Sequence, residues 1–319
     1  MSNKKFFLSR SLIIIFLISF ILAFLKGSGL YGFGNDFYVI YHESNLNFGS
    51  LFNRLGWIIS TFTINNFHLG VHLTSFILAI SFGFLMRSIF ILQKLDNLYF
   101  FIFIFIVGFH TWPIIMSTSN AMRQGLCMSM IFLGIAFYLD KKIFFSFIFF
   151  FISLFMHKSG PFIFVIFIFS HFVRLFMMSQ KKYNNLFFIF FGILIFLVCL
   201  FLIYKFEDGG RNSRIIFKDY RFHFLTLGFL YIVIFHYKNF FFKQNMMNLF
   251  VYYYFFGTLA VIVSTLNYEY ERLQMMILIP LIFSYGLLFN IRSSYIYYVV
   301  TFSILLTLTI YNGMYESFY

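Results

Sequence analysis

Residues 119–126, SNAMRQGL, separate two of the most apolar runs in the chain. LYFFIFIFIVGFHTWPIIM (98–116) comes before them and CMSMIFLGIAFYL (127–139) comes after them. The second run is extended back to residue 122 by MRQGL, which a helix can include. Residues 98–116 and 122–139 then both have the length of roughly 17 to 25 residues with which a helix crosses a bilayer. The stretch therefore predicts a short connection between two membrane-spanning helices, and the same pattern recurs along the chain.

The composition places most of the protein in lipid. Of the 319 residues, 61% are hydrophobic and only 10% are charged, and the mean hydropathy is +0.89. No soluble domain can bury that much apolar surface, so we expect an all-α, polytopic integral membrane protein with a single membrane domain over residues 1–319. Cys127 and Cys199 lie in apolar runs and form no metal or redox pattern, so both are interpreted as buried thiols.

Apolar windows predict about eleven transmembrane helices, within a range of about 10 to 12. The predicted spans lie near 11–25, 67–86, 98–116, 122–139, 143–156, 161–176, 185–204, 223–237, 249–266, 272–290 and 294–311. The basic and apolar N-terminus resembles a signal peptide but lacks a convincing cleavage site. It is therefore interpreted as a retained first helix.

The charge distribution orients these helices. With the N-terminus inside, the cytoplasmic segments hold slightly more than half of the 23 basic residues, as the positive-inside rule favours. The net charge of +13 is therefore interpreted as a membrane bias, and no nucleic-acid partner is expected. The outer side is also unusually basic, carries most of the ten acidic residues and holds the two long loops, at about 26–66 and 205–222. Any chemistry is expected at outward-facing loops and helix ends.

Arg123 is the most informative residue of the opening stretch. It is predicted to lie in the first turn of its helix, near Asn120, and no acidic residue stands between Asp96 and Asp140. A snorkelling arginine at a helix end is one explanation. A functional group is the other, because an ionisable side chain at membrane depth is usually retained for a purpose. Small residues at a spacing of four predict that a neighbouring helix approaches this helix closely: Ala121, Gly125 and Ser129.

His157 and Lys158 follow an unusually short apolar run. Residues 143–156 would form a helix of about 21 Å at ~1.5 Å per residue, whereas the hydrocarbon core is about 30 Å thick. A helix that starts at the cytoplasmic face would leave both side chains recessed below the outer surface. Bilayer thinning or helix tilt would instead restore an ordinary crossing.

Other polar groups gather in the outer segments. The second half of the first loop has apolar residues at helical spacing, which predicts an amphipathic helix in the membrane interface: Leu51, Leu55, Ile58 and Ile59. The remaining candidates are Asp36, Tyr38 and Tyr41 in that loop, Arg211 and Arg214 in the second, and Glu269 and Arg272 where a late loop enters a helix. His68 and His72 have the spacing of a metal pair but no suitable acid or cysteine beside them, which favours a polar helix face.

The order of these residues resembles the EpsG-like family of bacterial exopolysaccharide membrane proteins, within the Wzy-type O-antigen and capsule polymerases. The likeness is carried by NAMRQGLCMSMIFLGI with Arg123 and by FMHKSGPF with His157. The Asp36-x-Tyr38 pair and the late Glu271-Arg272-Leu273 complete it.

The resemblance implies glycosyl transfer between undecaprenyl-diphosphate-linked oligosaccharide repeat units at the outer face of the bacterial inner membrane. It implies membrane lipid, flippases and chain-length regulators as partners, and neither cofactor nor metal is expected. Residues suited to the departing diphosphate are Arg123, Lys158, Arg211, Arg214 and Arg272. Candidate bases for the acceptor hydroxyl are His157, Asp36 and Glu269, with Tyr38, Tyr41 and Asn120 as further substrate contacts.

Three other membrane functions stay open from the sequence. A lipid-linked oligosaccharide flippase or other transporter would share the many spans, but transporters usually show internal repeats, and none is evident. A membrane O-acetyltransferase would need to reach a cytoplasmic acyl donor, and the inner loops are short. An O-antigen ligase has nearly the same mechanism, and the sequence does not separate it from a polymerase.

Overall fold

The computed structural model describes residues 2–29, 51–62, 68–119, 121–179, 276, 279 and 291–311. Within these ranges the regular elements are helices. A 3₁₀ turn, Leu51–Asn53, precedes the second helix. The helices are α1 (Ser2–Gly27), α2 (Arg54–Ser60), α3 (Leu69–Leu92), α4 (Leu98–Phe109), α5 (Trp112–Ser119), α6 (Met122–Leu139), α7 (Ile143–Ser153), α8 (Gly160–Ser179) and α9 (Ile291–Tyr311).

The chain divides into two compact units. The first comprises Met1–His157 with Phe283–Tyr319, and the second comprises Lys158–Ile282. All described helices except α8 belong to the first unit. The single membrane domain over residues 1–319 stays a prediction.

Three described helices are long and apolar enough to cross a membrane: the Ser9–Gly27 part of α1, α3 and α6. Helix α6 is the most enclosed of them, with 83% of its span buried inside the protein. It packs against α3, α5, α7 and α2, while α1 packs along α3. Helices α3 and α6 therefore form the centre of the described part of the first unit.

Helices α1 and α3 lie antiparallel, held by small and polar side chains. The Arg87 Nε donates a hydrogen bond of 3.0 Å to the Ser11 Oγ. One turn further along, a Cβ atom on Gly83 would lie 2.9 Å from the Ile15 side chain. Lipid tails are as apolar as the side chains, so helices in a bilayer associate through close packing of this kind and through hydrogen bonds.

Helices α6 and α7 form an antiparallel pair with a well-defined register. The Ser146 hydroxyl donates to the Gly134 carbonyl at 2.7 Å, and the Cys127 thiol contacts the Ser153 carbonyl at 3.8 Å. Residue numbers of facing positions in an antiparallel pair have a constant sum, and both contacts give 280 (146 + 134 and 153 + 127). The same register, continued past the end of α7, places position 157 opposite position 123.

The turns that end α3 and α6 have a shared geometry. Lys94 and Lys141 both have positive φ, 58° and 63°, in the left-handed region that glycine usually fills after a helix. The Lys142 N–H then donates to the Phe137 carbonyl at 2.8 Å, and the Leu95 N–H donates to the Phe90 carbonyl at 2.9 Å. Both helices therefore close their last turn with main-chain bonds. We call this the lysine end of the bundle.

The structure corrects the predicted span at 98–116. It is not one helix, because α4 ends at Phe109 and α5 begins at Trp112. Pro113 explains the break: proline has no N–H group, and in a continuous helix its ring would clash with the carbonyl four residues earlier, that of Phe109. The Thr111 hydroxyl donates to the Gly108 carbonyl at 2.6 Å and closes the end of α4.

The other predicted boundaries compare closely with the described helices. The span at 122–139 coincides with α6, and the span at 67–86 corresponds to α3, which extends to Leu92. Helix α7 is shorter than the apolar run that predicted it and ends at Ser153. The spans at 185–204, 223–237, 249–266 and 272–290 lie outside the described residues apart from positions 276 and 279, so the count of eleven is not confirmed.

Candidate functional site

Helix α2 confirms the helix predicted in the second half of the first long loop. The side chains with the largest apolar exposure are Leu51 and Ile58, at 62% and 45%, while Gly56 and Ser60 are buried. The amphipathic pattern therefore presents bulky apolar groups away from the bundle and small residues towards it. This arrangement lets the backbone of α2 approach the other helices closely.

Main-chain contacts attach α2 at its beginning. The Gly56 N–H donates a 3.1 Å hydrogen bond to the Phe155 carbonyl, in the turn that follows α7. This bond satisfies one of the N–H groups that a helix leaves unpaired in its first turn. A Cβ atom on Gly56 would overlap the carbonyl oxygen of Met156. Only glycine permits this approach between the two backbones.

The end of α2 is attached to the beginning of α3 in the same manner. The Gly70 N–H donates to the Phe62 carbonyl at 2.8 Å, and a Cβ atom on Gly70 would overlap the Ser60 carbonyl. Helix α2 is thus fixed between α3 and the turn after α7. Two glycines, each against a carbonyl group, set its position.

Arg123 is the second residue of α6, in the first turn as the sequence predicted. Its guanidinium Cζ lies 3.9 Å from the centre of the Trp57 ring on α2. Both side chains are partly exposed. A guanidinium so close to an indole ring is attracted by the ring's negative face, and this contact uses the face of the guanidinium and not the N–H groups in its plane.

The start of α6 is formed by close packing on α5. The Ala121 N–H donates to the Met116 carbonyl at 3.1 Å, and a Cβ atom on Gly125 would overlap the Ser117 carbonyl. The close approach predicted from the small residues is therefore present at Gly125, and the neighbour is the preceding helix. Ala121 is the N-cap of α6 and makes no side-chain capping bond. The positive end of a helix dipole favours anions at such a terminus.

His157 ends the short segment after α7 and is only 2% exposed. The three residues before it continue in helical turns, because the Leu154, Phe155 and Met156 N–H groups each donate to the carbonyl three residues earlier. The register of α6 and α7 directs this segment towards the level of Arg123. The bond between Phe155 and Gly56 supports the same placement, since Trp57 follows Gly56 directly.

The structure therefore brings three sequence-distant segments together: α2, the start of α6 and the turn after α7. We call this group the Arg123 site. Trp57 and Gly56 are the residues of this site that the sequence did not single out. A usable signal was present, since Trp57 is one of only two tryptophans and lies on an amphipathic helix in a loop predicted to be on the outer side.

Most other candidates cannot be placed. The structure describes Lys158, which follows His157 and is partly exposed. Outside the described residues lie Asp36, Tyr38, Tyr41, Asn120, Arg211, Arg214, Glu269 and Arg272. Their membership of the site stays a prediction.

Two further sequence features have structural positions. Cys127 is fully buried, as predicted, whereas Cys199 lies outside the described residues. A Cβ atom on Gly27 would overlap the His72 ring, so that histidine packs directly on the end of α1. Among the residues that the structure describes, no three His, Cys, Asp or Glu side chains are grouped as metal ligands would be.

The arrangement combines a side chain that can bind anions with one that can accept a proton. A guanidinium binds phosphate groups through parallel charge-assisted hydrogen bonds, and a neutral histidine can accept a proton. The EpsG family model matches residues 10–317, nearly the entire chain. The chain belongs to the EpsG family. EpsG is a Wzy-like polymerase family, and the match covers all three segments of the Arg123 site. No curated protein and no solved structure matches the chain.

Proposed function

We propose that this EpsG-family protein is a bacterial polysaccharide polymerase that acts on undecaprenyl-diphosphate-linked oligosaccharides at the outer face of the inner membrane. The observation that carries the proposal is the placement of Arg123 against Trp57 beside the segment of His157. Family membership supports the polymerase chemistry. The apolar helices support a membrane-bound substrate.

The proposed step transfers the growing glycan to the incoming repeat unit. The bond between the anomeric carbon of the growing chain and its diphosphate oxygen breaks, and a bond forms from that carbon to a hydroxyl oxygen of the incoming unit. The hydroxyl proton passes to a base, and undecaprenyl diphosphate leaves. Negative charge increases on the diphosphate as the bond breaks, so a fixed cation at that position stabilises the transition state.

Arg123 is assigned to the diphosphate. The first turn of α6 has the polarity that anions favour, and the guanidinium extends from that turn. The predicted partners in charge stabilisation are Lys158, Arg211, Arg214 and Arg272. Tyr38, Tyr41 and Asn120 are proposed to contact the sugars or the lipid-linked head group.

His157 is our first choice for the base, ahead of Asp36 and Glu269. It lies in the segment after α7 whose Phe155 carbonyl accepts a hydrogen bond from Gly56. Gly56 is followed directly by Trp57, which contacts Arg123. Three substitutions rank these groups: His157→Gln, Asp36→Asn and Glu269→Gln. Loss of the true base should lower the turnover rate at saturating substrate about 100-fold, whereas loss of a binding group should mainly raise KM. Full turnover in His157→Gln would show that His157 is not the base and would favour Asp36 or Glu269.

The cell-level test is glycan length in a deletion strain. A polymerase deletion should leave lipid that carries a single repeat unit on the outer face. Repeat units trapped inside would indicate a flippase, and full-length polymer that is not attached to its final acceptor would indicate a ligase.

The residue-level test is Arg123→Ala, produced at the normal level in the membrane of that strain. We expect no chain growth, because the departing diphosphate loses its cation. Lys142→Ala is the matched control, since it removes an exposed positive charge from the turn that follows the opposite end of α6. Polymer of normal length from Arg123→Ala would rule out the proposed role.

A further inference from the structure

Trp57 has no chemistry of its own to contribute to glycosyl transfer, yet it makes a defined contact with Arg123. The ring centre lies 3.9 Å from the guanidinium Cζ, which is van der Waals contact. The two residues stand on different helices, far apart in sequence. The contact is therefore a product of the tertiary fold and not of local chain geometry.

Hydrogen bonds from the end of α2 fix the backbone of Trp57. Its carbonyl accepts hydrogen bonds from the Thr61 N–H at 3.0 Å, the Thr61 hydroxyl at 2.7 Å and the Ser60 hydroxyl at 3.2 Å. The preceding residue, Gly56, is bonded to Phe155. A short helix of seven residues gains this order from its attachments, since isolated helices of that length are not stable in water.

An arginine side chain has many rotamers, and ordering it opposes binding through lost conformational entropy. An aromatic face that contacts the guanidinium removes part of this loss before the substrate arrives. The contact uses the face of the guanidinium, whereas phosphate binding uses the N–H groups in its plane. One side chain can therefore make both interactions at the same time.

We propose that Trp57 is a positioning residue that holds the Arg123 guanidinium in place for a diphosphate. The inference rests on the proposed function, because it takes a diphosphate as the ligand of Arg123. Helix α2 thereby fixes the orientation of the Arg123 guanidinium, and α2 is itself hydrogen-bonded to the segment that leads to His157.

The chain offers a direct reporter of this contact, because Trp57 and Trp112 are its two tryptophans. Trp112→Phe leaves Trp57 as the single tryptophan, in the full-length protein purified into phosphatidylcholine nanodiscs. Titration with inorganic diphosphate should change the Trp57 fluorescence in a saturable manner. Sodium sulfate at matched ionic strength should not reproduce the change, and adding Arg123→Gln should abolish it. An unchanged signal, or the same signal without Arg123, overturns the proposal.

Substitutions at Trp57 separate positioning from a general structural role. These variants lack the fluorescent reporter, so isothermal titration calorimetry measures diphosphate binding. Trp57→Leu removes the aromatic face and should weaken diphosphate binding about tenfold, while Trp57→Phe keeps a face and should restore most of it. Phe137→Leu is the matched control, since it removes an aromatic ring near Lys142, and it should leave diphosphate binding unchanged. Equal binding by Trp57→Leu and the unsubstituted protein would contradict the inference.

The two proposals can fail separately. If Arg123→Ala stops chain growth but Trp57→Leu binds diphosphate normally and makes normal polymer, the positioning role is wrong and the polymerase assignment stands. If the Trp57 signal responds to diphosphate through Arg123 but the deletion strain still makes long polymer, the polymerase assignment is wrong and the positioning of an anion-binding arginine stands.

Discussion

The two ends of helix α6 each place a cation over an aromatic ring, but in different settings. At the lysine end, the Lys142 Nζ lies 5.7 Å from the ring centre of Phe137, and Lys142 is exposed. At the other end, the Arg123 Cζ lies 3.9 Å from the Trp57 ring of another helix. The first contact joins Phe137 of α6 to Lys142 in the turn that follows this helix, whereas the second requires α2, α6 and α7 to assemble.

The surroundings of the two cations also differ, because one cation has exposed charged neighbours and the other has buried polar neighbours. Asp140 and Lys141 are exposed beside Lys142. Near Arg123, the polar side chains of Ser117, Ser119 and Gln124 are buried, as is His157. Buried polar groups need partners and are costly when they lack them. Several of them at one end of a helix indicate polar interactions there, whereas the exposed charges at the other end fit the cytoplasmic side predicted from the positive-inside rule.

The sharpest test of this comparison exchanges one cation for the other at both ends. Arg123→Lys keeps the charge but loses the planar fork, and we expect chain growth to fall about 100-fold. Lys142→Arg makes the reverse change at the lysine end and should leave glycan length unchanged. Gel profiles of the surface glycan, at matched protein levels in the deletion strain, compare the two. Normal polymer from Arg123→Lys would mean that position 123 needs only a positive charge and not the planar guanidinium.

A second test adds one methyl group in α2, at the Arg123 site, and one in α6, at its contact with α7. Gly56→Ala would force α2 away from the Met156 carbonyl, and Gly134→Ala would place its Cβ 2.6 Å from the Phe150 ring. Each should reduce stability by about 1–3 kcal/mol. Only Gly56→Ala should also weaken diphosphate binding, because it displaces Trp57.

Thermal unfolding and diphosphate titration of both purified variants provide the measurements for this pair. The comparison fails if Gly134→Ala weakens diphosphate binding as much as Gly56→Ala does. It also fails if Gly56→Ala binds diphosphate as tightly as the unsubstituted protein.

The smallest expected effect concerns Lys141, which occupies a left-handed conformation with φ 63°. Lys141→Gly should relieve that strain and raise the free energy of unfolding by less than about 1 kcal/mol, partly offset by the greater freedom of glycine in the unfolded chain. Glycan length should stay unchanged, because the lysine end has no assigned part in catalysis. A higher melting temperature in nanodiscs, with normal polymer, is the expected result. A shorter polymer would show that the lysine end also influences the reaction.

The sequence predicted those features that depend on local pattern. The bounds of α6, the first-turn position of Arg123 and the amphipathic helix α2 follow from hydrophobic runs and spacing within a few residues. The break at Pro113 had a local signal as well, but the length of the apolar run outweighed it in the prediction. Local patterns therefore fix the helices and most of their ends.

The Arg123 site could not be predicted in the same way. Its decisive contacts join Gly56 to Phe155 and Trp57 to Arg123, across long separations in the sequence. The first is a bond between main-chain atoms, and main-chain atoms are the same in every residue. The second joins two side chains whose positions depend on that bond. No residue spacing in the sequence predicts either contact.

The backbone attachment of α2 has a consequence for which substitutions this helix tolerates. Gly56 and Gly70 must stay small because each lies against a carbonyl group. The other bonds at those positions use main-chain atoms, which no substitution except proline removes. Exposed positions of α2 such as Leu55 and Ile58 can therefore be exchanged without loss of its attachment, so the place of Trp57 beside Arg123 depends more on main-chain geometry than on the side chains around it.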